Sequence, residues 1–379
     1  MIVAGVMSGT SADGIDVALV RLTGRGFTTR VRFLGHAAFA YPAAVRRQVL
    51  AAANASQIAV ADLARLNFLL GELYAEAVLS TAKRFRRKVR LVGCHGQTLY
   101  HQGEPSRFLG QAVSATWQTG EAAILAARVG VPVISDFRPA DMGAGGTGAP
   151  LVPFFDYLVY RHRSRGRILQ NIGGIANLTA IPAAAAPEKV LAFDTGPGNM
   201  VVDAVMERLY GRTMDRDGRV AARGAARENV VAALLRSPFF PRRPPKSAGR
   251  EEFGSEFLRQ FLRLCRGARK EDIVATATVL TARSIAVSLQ RFVLARGNFS
   301  DFILSGGGAR NRTLVKMLAD EITPLGLGLH LSDDFGVPSK AKEAAAFAVL
   351  AYQTWQRQPS NLPSATGAGR AVILGKVSF

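Results

Sequence analysis

Cysteine is nearly missing from this 379-residue chain: Cys94 and Cys265 stand alone and far apart. Two thiols so placed offer neither a disulfide framework nor a metal-ligand spacing, which fits a reducing compartment. No run of about 18 uncharged apolar residues occurs, so a membrane-spanning helix is not expected. The opening MIVAGVMSGTS lacks a basic n-region and a long apolar h-region. It reads as a strand entering a loop, not as a signal peptide, and the expected location is the cytoplasm. A P-loop is missing too, because no Gly-Lys-Ser/Thr follows any glycine loop. Lysine is scarce: 39 Arg against 9 Lys carry the +20 net charge. The arginines are scattered, with short clusters in 84–90, 161–167 and 242–250, and no nucleic-acid motif accompanies them. The charge therefore reads as a compositional habit, and no nucleic-acid partner is expected. It would still attract a nucleotide or an acidic sugar.

What the chain does hold is glycine at the exits of strand-like runs. Residues 1–20 are two apolar β-type runs around a Gly/Ser/Thr turn, followed by helical spacing over 42–87. A strand over 89–94, a helix over 120–128, the short strand VPVIS and a Gly/Pro-dense loop from residue 136 complete a first half. After the basic stretch 161–167 the pattern restarts with the hairpin NIGGIANLTAI and the strand 190–193. A helix from residue 200, an irregular Arg/Pro-rich stretch over 211–254, helices near 255–265 and 275–294, a strand at 302–304 and a helix over 342–356 follow. Two copies of one topology suggest two lobes that clamp a phosphate chain. The length suits two domains.

Three glycine motifs carry the chemistry. Gly9, Thr10, Ser11, Ala12, Asp13, Gly14, Ile15 and Asp16 form a hairpin tip whose backbone N–H groups can face phosphate oxygens. Asp13 or Asp16 is placed to hold Mg²⁺, a hard cation that prefers oxygen. An ordinary tight hairpin uses the same residue types. SGGGARN, with Gly306, Gly307, Gly308 and Asn311, lets a flat ligand approach a helix N-terminus closely; Gly173 and Gly174 form a second such turn. FDTGPGN sets Asp194 at the last position of a strand, as a general base or as the cap of the following helix. Two softer groups remain. His95, Gln97 and Thr98 in GCHGQTLYH lie on a loop after a strand, suited to sugar hydroxyls or to structural hydrogen bonds. Glu343 opens an apolar helix, where a carboxylate complements the dipole.

Read together, VMSGTSADGIDVALV, GCHGQT, TWQTGEAAILA, VPVISDFRPADMGAGGTGAPLVP, NIGGIANLT, FDTGPGN, PPKSAGREEF, LSGGGARN, KAKEAAAFAVLA and NLPSATGA resemble the anhydro-N-acetylmuramic acid kinase family. They fall in family order from residue 6 to residue 368. Departures are small: the family usually has Met where Ala12 stands, Thr where Ala248 stands and Val where Ala365 stands. The resemblance implies an α/β, two-lobed actin/hexokinase-like (ribonuclease H-like) kinase fold with an interdomain ATP cleft. The lobes would comprise 1–165 with 345–379, and 166–344. It implies ATP and Mg²⁺ as cofactors, an amino-sugar substrate, a homodimer, and no membrane partner. The implied reaction hydrolyses the bridge of 1,6-anhydro-N-acetylmuramic acid and phosphorylates O6. Asp194 then aligns with the family's base and Glu343 with its supporting carboxylate. Asp136, Arg138 and Asp141 would hold the sugar, Arg138 by pairing with the lactyl carboxylate. From the residues alone, an ordinary hexose kinase and a non-enzymatic basic protein stay open.

Overall fold

The computed structural model describes residues 1–10, 12–53 and 55–379. The chain divides into two compact units, Met1–Val159 with Lys340–Phe379, and Tyr160–Ser339. These limits differ by a few residues from the 165/166 and 344/345 read from the sequence, and the second difference puts Glu343 in the first unit.

The first unit is built on a sheet of β1 (Ile2–Ser8), β2 (Gly14–Thr23), β3 (Arg30–Ala40), β4 (Leu91–Phe108), β5 (Gln111–Thr119), β6 (Val133–Ser135) and the C-terminal Lys376–Ser378. β1, β2 and β3 run antiparallel in sequence, while β4 lies parallel to β1 and β6 parallel to β4. The second unit repeats the plan with β7 (Arg167–Ile172), β8 (Ile175–Ile181), β9 (Leu191–Pro197), β10 (Asp301–Ser305) and β11 (Gly328–Leu331). There β7, β8 and β9 are antiparallel, β10 is parallel to β7 and β11 to β10. A three-strand meander followed by two parallel crossovers, made twice, is the actin/hexokinase-like arrangement expected from the sequence. Both glycine-turn hairpins stand where the apolar runs placed them.

β1 and the first half of β4 are buried because the helix Lys342–Trp355 lies across them. Two glycines make room. A Cβ on Gly5 would sit 1.8 Å from the Ala344 carbonyl oxygen, and one on Gly93 2.3 Å from that of Phe347. The helix is buried almost throughout, with Glu343 at its open start. In the second unit the central helix is Lys270–Ser288, packed on β9 and on the helices Asn199–Tyr210 and Arg312–Ile322. Its extension Lys270–Arg296 has the length and apolarity of a membrane span, and 83% of its most apolar window is buried in the unit.

Several elements escaped the pattern reading. β4 does not stop at residue 94 but runs on to Phe108 and turns back as β5. Its distal half is polar and exposed, so no apolar alternation marks it. Asp136 adopts a left-handed conformation (φ 54°) and starts the helix Phe137–Gly143 inside the Gly/Pro-dense segment. The irregular stretch 211–254 contains the helix Glu228–Leu234.

Candidate active site

In the first unit the hairpin tip is held from below. The Ser8 hydroxyl lies 2.6 Å from Gln97 Oε1 and accepts from Tyr41 at 2.8 Å. Gln97 Nε2 donates to the Gly9 carbonyl at 3.2 Å, and the Ala12 N–H closes a turn onto the same oxygen at 3.0 Å. Ala12 is buried in a left-handed conformation (φ 52°) and Ile15 is a core side chain. Thr10 and Asp13 are exposed at the tip. Ser11 lies outside the described residues. Asp13 faces Arg46 at 3.5 Å, whereas Asp16 Oδ1 meets His36 Nε2 at 2.7 Å.

The sugar-site candidates separate into braces and one open cation. His95 and Gln97 lie within β4, not on a loop after it, and both are buried. Arg138 donates to His95 Nε2 at 2.8 Å, so the imidazole carries its proton on Nδ1 and donates it to the Gly96 carbonyl at 2.8 Å. Burial, then the Arg138 charge, pulls His95 down to about 3, which keeps it neutral. Asp141 is fully buried: Oδ1 accepts from Asn361 and Thr366 at 2.7 Å each, and Oδ2 from the Gly148 N–H at 2.9 Å. Asp136 meets Lys376 at 2.8 Å. Thr98 accepts a long bond from Gln118 at 3.4 Å. Arg138 itself is half-buried, aimed by His95 and by the Gly148 carbonyl at 2.8 Å. Burial lowers Arg138 to about 10, against the charges of Glu343 and Asp141. Desolvation raises Glu343; Lys342 opposes the shift, Asp16 adds to it and Arg138 opposes it. Glu343 thus feels the charges of both Asp16 and Arg138.

In the second unit two glycine turns meet a helix start. The Asn199 and Met200 N–H groups donate to the Gly173 and Gly174 carbonyls at 2.8 and 3.1 Å. Gly306 has φ 86°, and a Cβ there would meet Asn171 Oδ1 at 2.6 Å and the Ile172 carbonyl at 2.7 Å. Asn311 caps the helix Arg312–Ile322 by accepting from the Leu314 N–H at 3.0 Å, so its oxygen already has a structural task.

Asp194 stands inside β9, which continues to Pro197, rather than at its last position. It caps no helix: the N-cap of Asn199–Tyr210 is Gly198, with no side-chain cap bond. Its N–H donates to the Lys246 carbonyl at 3.0 Å, and its Oδ2 accepts from the Ala248 N–H at 2.7 Å. Burial pushes the carboxyl up to about 7, opposed by the Ala248 bond and the Lys246 charge. A carboxyl near neutrality, gripped on one oxygen, is equipped to take a proton. Lys246 is the residue that motif reading passed over. The available signal was its isolation, as the one lysine between Lys189 and Lys270 in an arginine-rich stretch.

A family model described as Anhydro-N-acetylmuramic acid kinase matches residues 1–379. The curated anhydro-N-acetylmuramic acid kinase of Bacillus cereus strain AH187 is 42% identical, covering 100% of this chain and 99% of its own. That of Bacillus cereus strain B4264 is 44% identical, covering 100% of this chain and 97% of its own. Among solved structures, component A of the (R)-2-hydroxyglutaryl-CoA dehydratase of Acidaminococcus fermentans superposes with a TM-score of 0.46 at 11% identity, over 93% of this chain and 98% of that one.

Proposed function

The chain belongs to the anhydro-N-acetylmuramic acid kinase family, and from that premise we propose that it uses ATP to open 1,6-anhydro-N-acetylmuramic acid and phosphorylate its O6. The observation that carries the reading is Asp194: a carboxyl raised to about 7, anchored by one main-chain N–H and free of any capping duty. Asp194 takes a proton from water as the water oxygen bonds to C1 of the sugar. The C1–O6 bond breaks, O6 takes the γ-phosphoryl group, and ADP departs with N-acetylmuramic acid 6-phosphate formed. Phosphoryl transfer absorbs the charge that develops on O6, so no separate acid need protonate it. Glu343 supports the reaction from the first unit. Arg138, aimed by His95, pairs with the lactyl carboxylate, and Asp141, His95 and Gln97 hold the surrounding frame.

The nucleotide is assigned to the hairpin tip at Gly9 in the first unit and, in the second, to the turns at Gly173–Gly174 and Gly306–Gly308. Among the described residues no three acidic, His or Cys side chains converge as a metal cage. A lone carboxylate at the hairpin would suit Mg²⁺, which would take its remaining oxygens from phosphate and water. Asp16, oriented by His36, is the better ligand of the two candidates. When bound, the ion neutralises charge on the transferring phosphate.

Product analysis in ¹⁸O water tests the reading. One ¹⁸O is expected at the C1 hydroxyl of a reducing sugar 6-phosphate, with none in the phosphoryl group. A phosphorylated sugar without label would point to an ordinary hexose kinase. The nucleotide assignment has its own check. Gly9→Val places a branched side chain at the hairpin tip and should weaken ADP binding by about tenfold or more, roughly 1.4 kcal/mol, in a protein with unchanged circular dichroism. Wild-type affinity by calorimetry would remove residues 9–16 from the nucleotide site.

A further inference from the structure

Lys246 has no part in the reaction as written, yet its side chain is buried (6% exposed), where an ammonium is costly without strong partners. Its Nζ donates to the Phe239 and Phe240 carbonyls at 3.2 Å each. It also lies over three aromatic rings, 4.5 Å from the centroid of Phe239, 4.9 Å from Phe292 and 5.7 Å from Phe193. Phe193 immediately precedes Asp194 in β9. The main chain that this ammonium anchors is the segment that grips Asp194, through the Lys246 carbonyl and the Ala248 N–H. Arg242 fastens the link between those two contacts by donating to the Ser247 carbonyl at 2.9 Å. Packing alone would be served by an apolar side chain of the same length; an ammonium that ties two main-chain carbonyls inside an aromatic box does something further.

We propose that Lys246 is a positioning residue for Asp194, its ammonium pinning segment 246–248 so that the Ala248 N–H meets Oδ2. The proposal rests on the reading of Asp194 as the base. The charged groups facing the pair are Glu251, which raises Asp194, and Arg242, which lowers both groups, with Arg291 acting on Lys246. Burial holds the ammonium down at about 8, so carboxylate and ammonium are both charged only in a narrow span near neutrality.

The test is a ¹³C NMR titration of protein labelled at the aspartate carboxyl carbon, with Asp194→Asn identifying the Asp194 signal. Lys246→Met is expected to raise the Asp194 midpoint by about one unit, lower kcat at pH 7 by roughly tenfold and leave the KM for ATP within about twofold. Lys246→Arg should restore most of the midpoint. If Lys246→Met melts below the assay temperature, Lys246→Gln, which keeps donors for the two carbonyls without the charge, is titrated in its place. An unchanged midpoint in a folded, uncharged variant overturns the proposal. If Asp194→Asn itself retains turnover, the reading of the base fails instead, and the titration still reports whether Lys246 governs this carboxyl.

Discussion

Asp194→Asn is expected to give a folded protein that binds ATP and the anhydro-sugar and turns over about 10² to 10⁴ times more slowly. The amide oxygen can still accept the Ala248 N–H, so the grip on β9 survives. What the variant loses is the ability to take a proton from water. Glu343→Gln should lose less, because Glu343 is assigned support and not proton transfer. Near-wild-type turnover in Asp194→Asn would move the base to Glu343 or elsewhere. The pH dependence follows from the same carboxyl. With Asp194 titrating at about 7, wild-type kcat should fall tenfold per unit on the acid side of that value, and the fall should be missing from the residual rate of Asp194→Asn.

Stability carries the opposite sign. An unfolded aspartate titrates near about 3.9, so between that value and about 7 the folded state keeps a proton that the unfolded state has released. The stability associated with the protonated form is fully present below the unfolded value and is lost as pH rises through the folded one. Asp194→Asn, which cannot ionise, should therefore be more stable than wild type at pH 8, by on the order of 1–3 kcal/mol, and the two should converge toward pH 4. Melting curves at the two pH values decide it.

The second large effect is expected from Gly5→Ala. The added Cβ meets the Ala344 carbonyl oxygen at 1.8 Å and the Ala348 nitrogen at 2.8 Å, both backbone atoms in a helix that cannot rotate away. The helix Lys342–Trp355 must lift from β1, and Glu343 precedes the clashing residue. Overpacking of a core typically costs about 1–3 kcal/mol, and a clash with helix backbone belongs at or beyond the upper end. A loss of about 3 kcal/mol lowers the melting temperature of a unit this size by roughly 6–12 °C. Turnover should fall as well, because the carboxylate moves with its helix. Gly143→Ala is the control: nothing lies within 4 Å of the added carbon, and φ is not positive. A wild-type melt in Gly5→Ala would mean that the helix does not rest on this glycine.

The opening hairpins, the alternation of strands and helices after each and the terminal apolar helix were legible because burial on one or both faces writes itself into the sequence as runs and periods. β5 and the distal part of β4 were not, since an exposed ribbon has no face to bury. Asp194 was found by type and neighbourhood, but its position was misjudged: TGPG reads as a strand end, whereas β9 continues through it with Gly196 at φ 150°. For His95 and Gln97 the sequence left sugar binding and structural hydrogen bonding both open, and Asp141 entered as a sugar residue only through the family resemblance. Only three-dimensional partners reveal that their hydrogen-bonding capacity is already committed. Ala248 runs the other way. The family usually has Thr there, yet the bond to Asp194 comes from the main-chain N–H, which any residue except proline supplies.

The division of the chain has a consequence for how the molecule is made. The second unit is one uninterrupted stretch, Tyr160–Ser339, while the first is completed only by Lys340–Phe379. On the ribosome, the later-encoded unit can therefore finish folding while the earlier-encoded one still waits for its last helix. Until that helix emerges, Gly5 and Gly93 floor an open apolar trough and Glu343 does not yet exist. A polypeptide released at Ser339 would carry Asp194 in a finished sheet while the first unit's sheet stays uncovered. Quality-control proteases should recognise such a product by its uncovered β1 and β4.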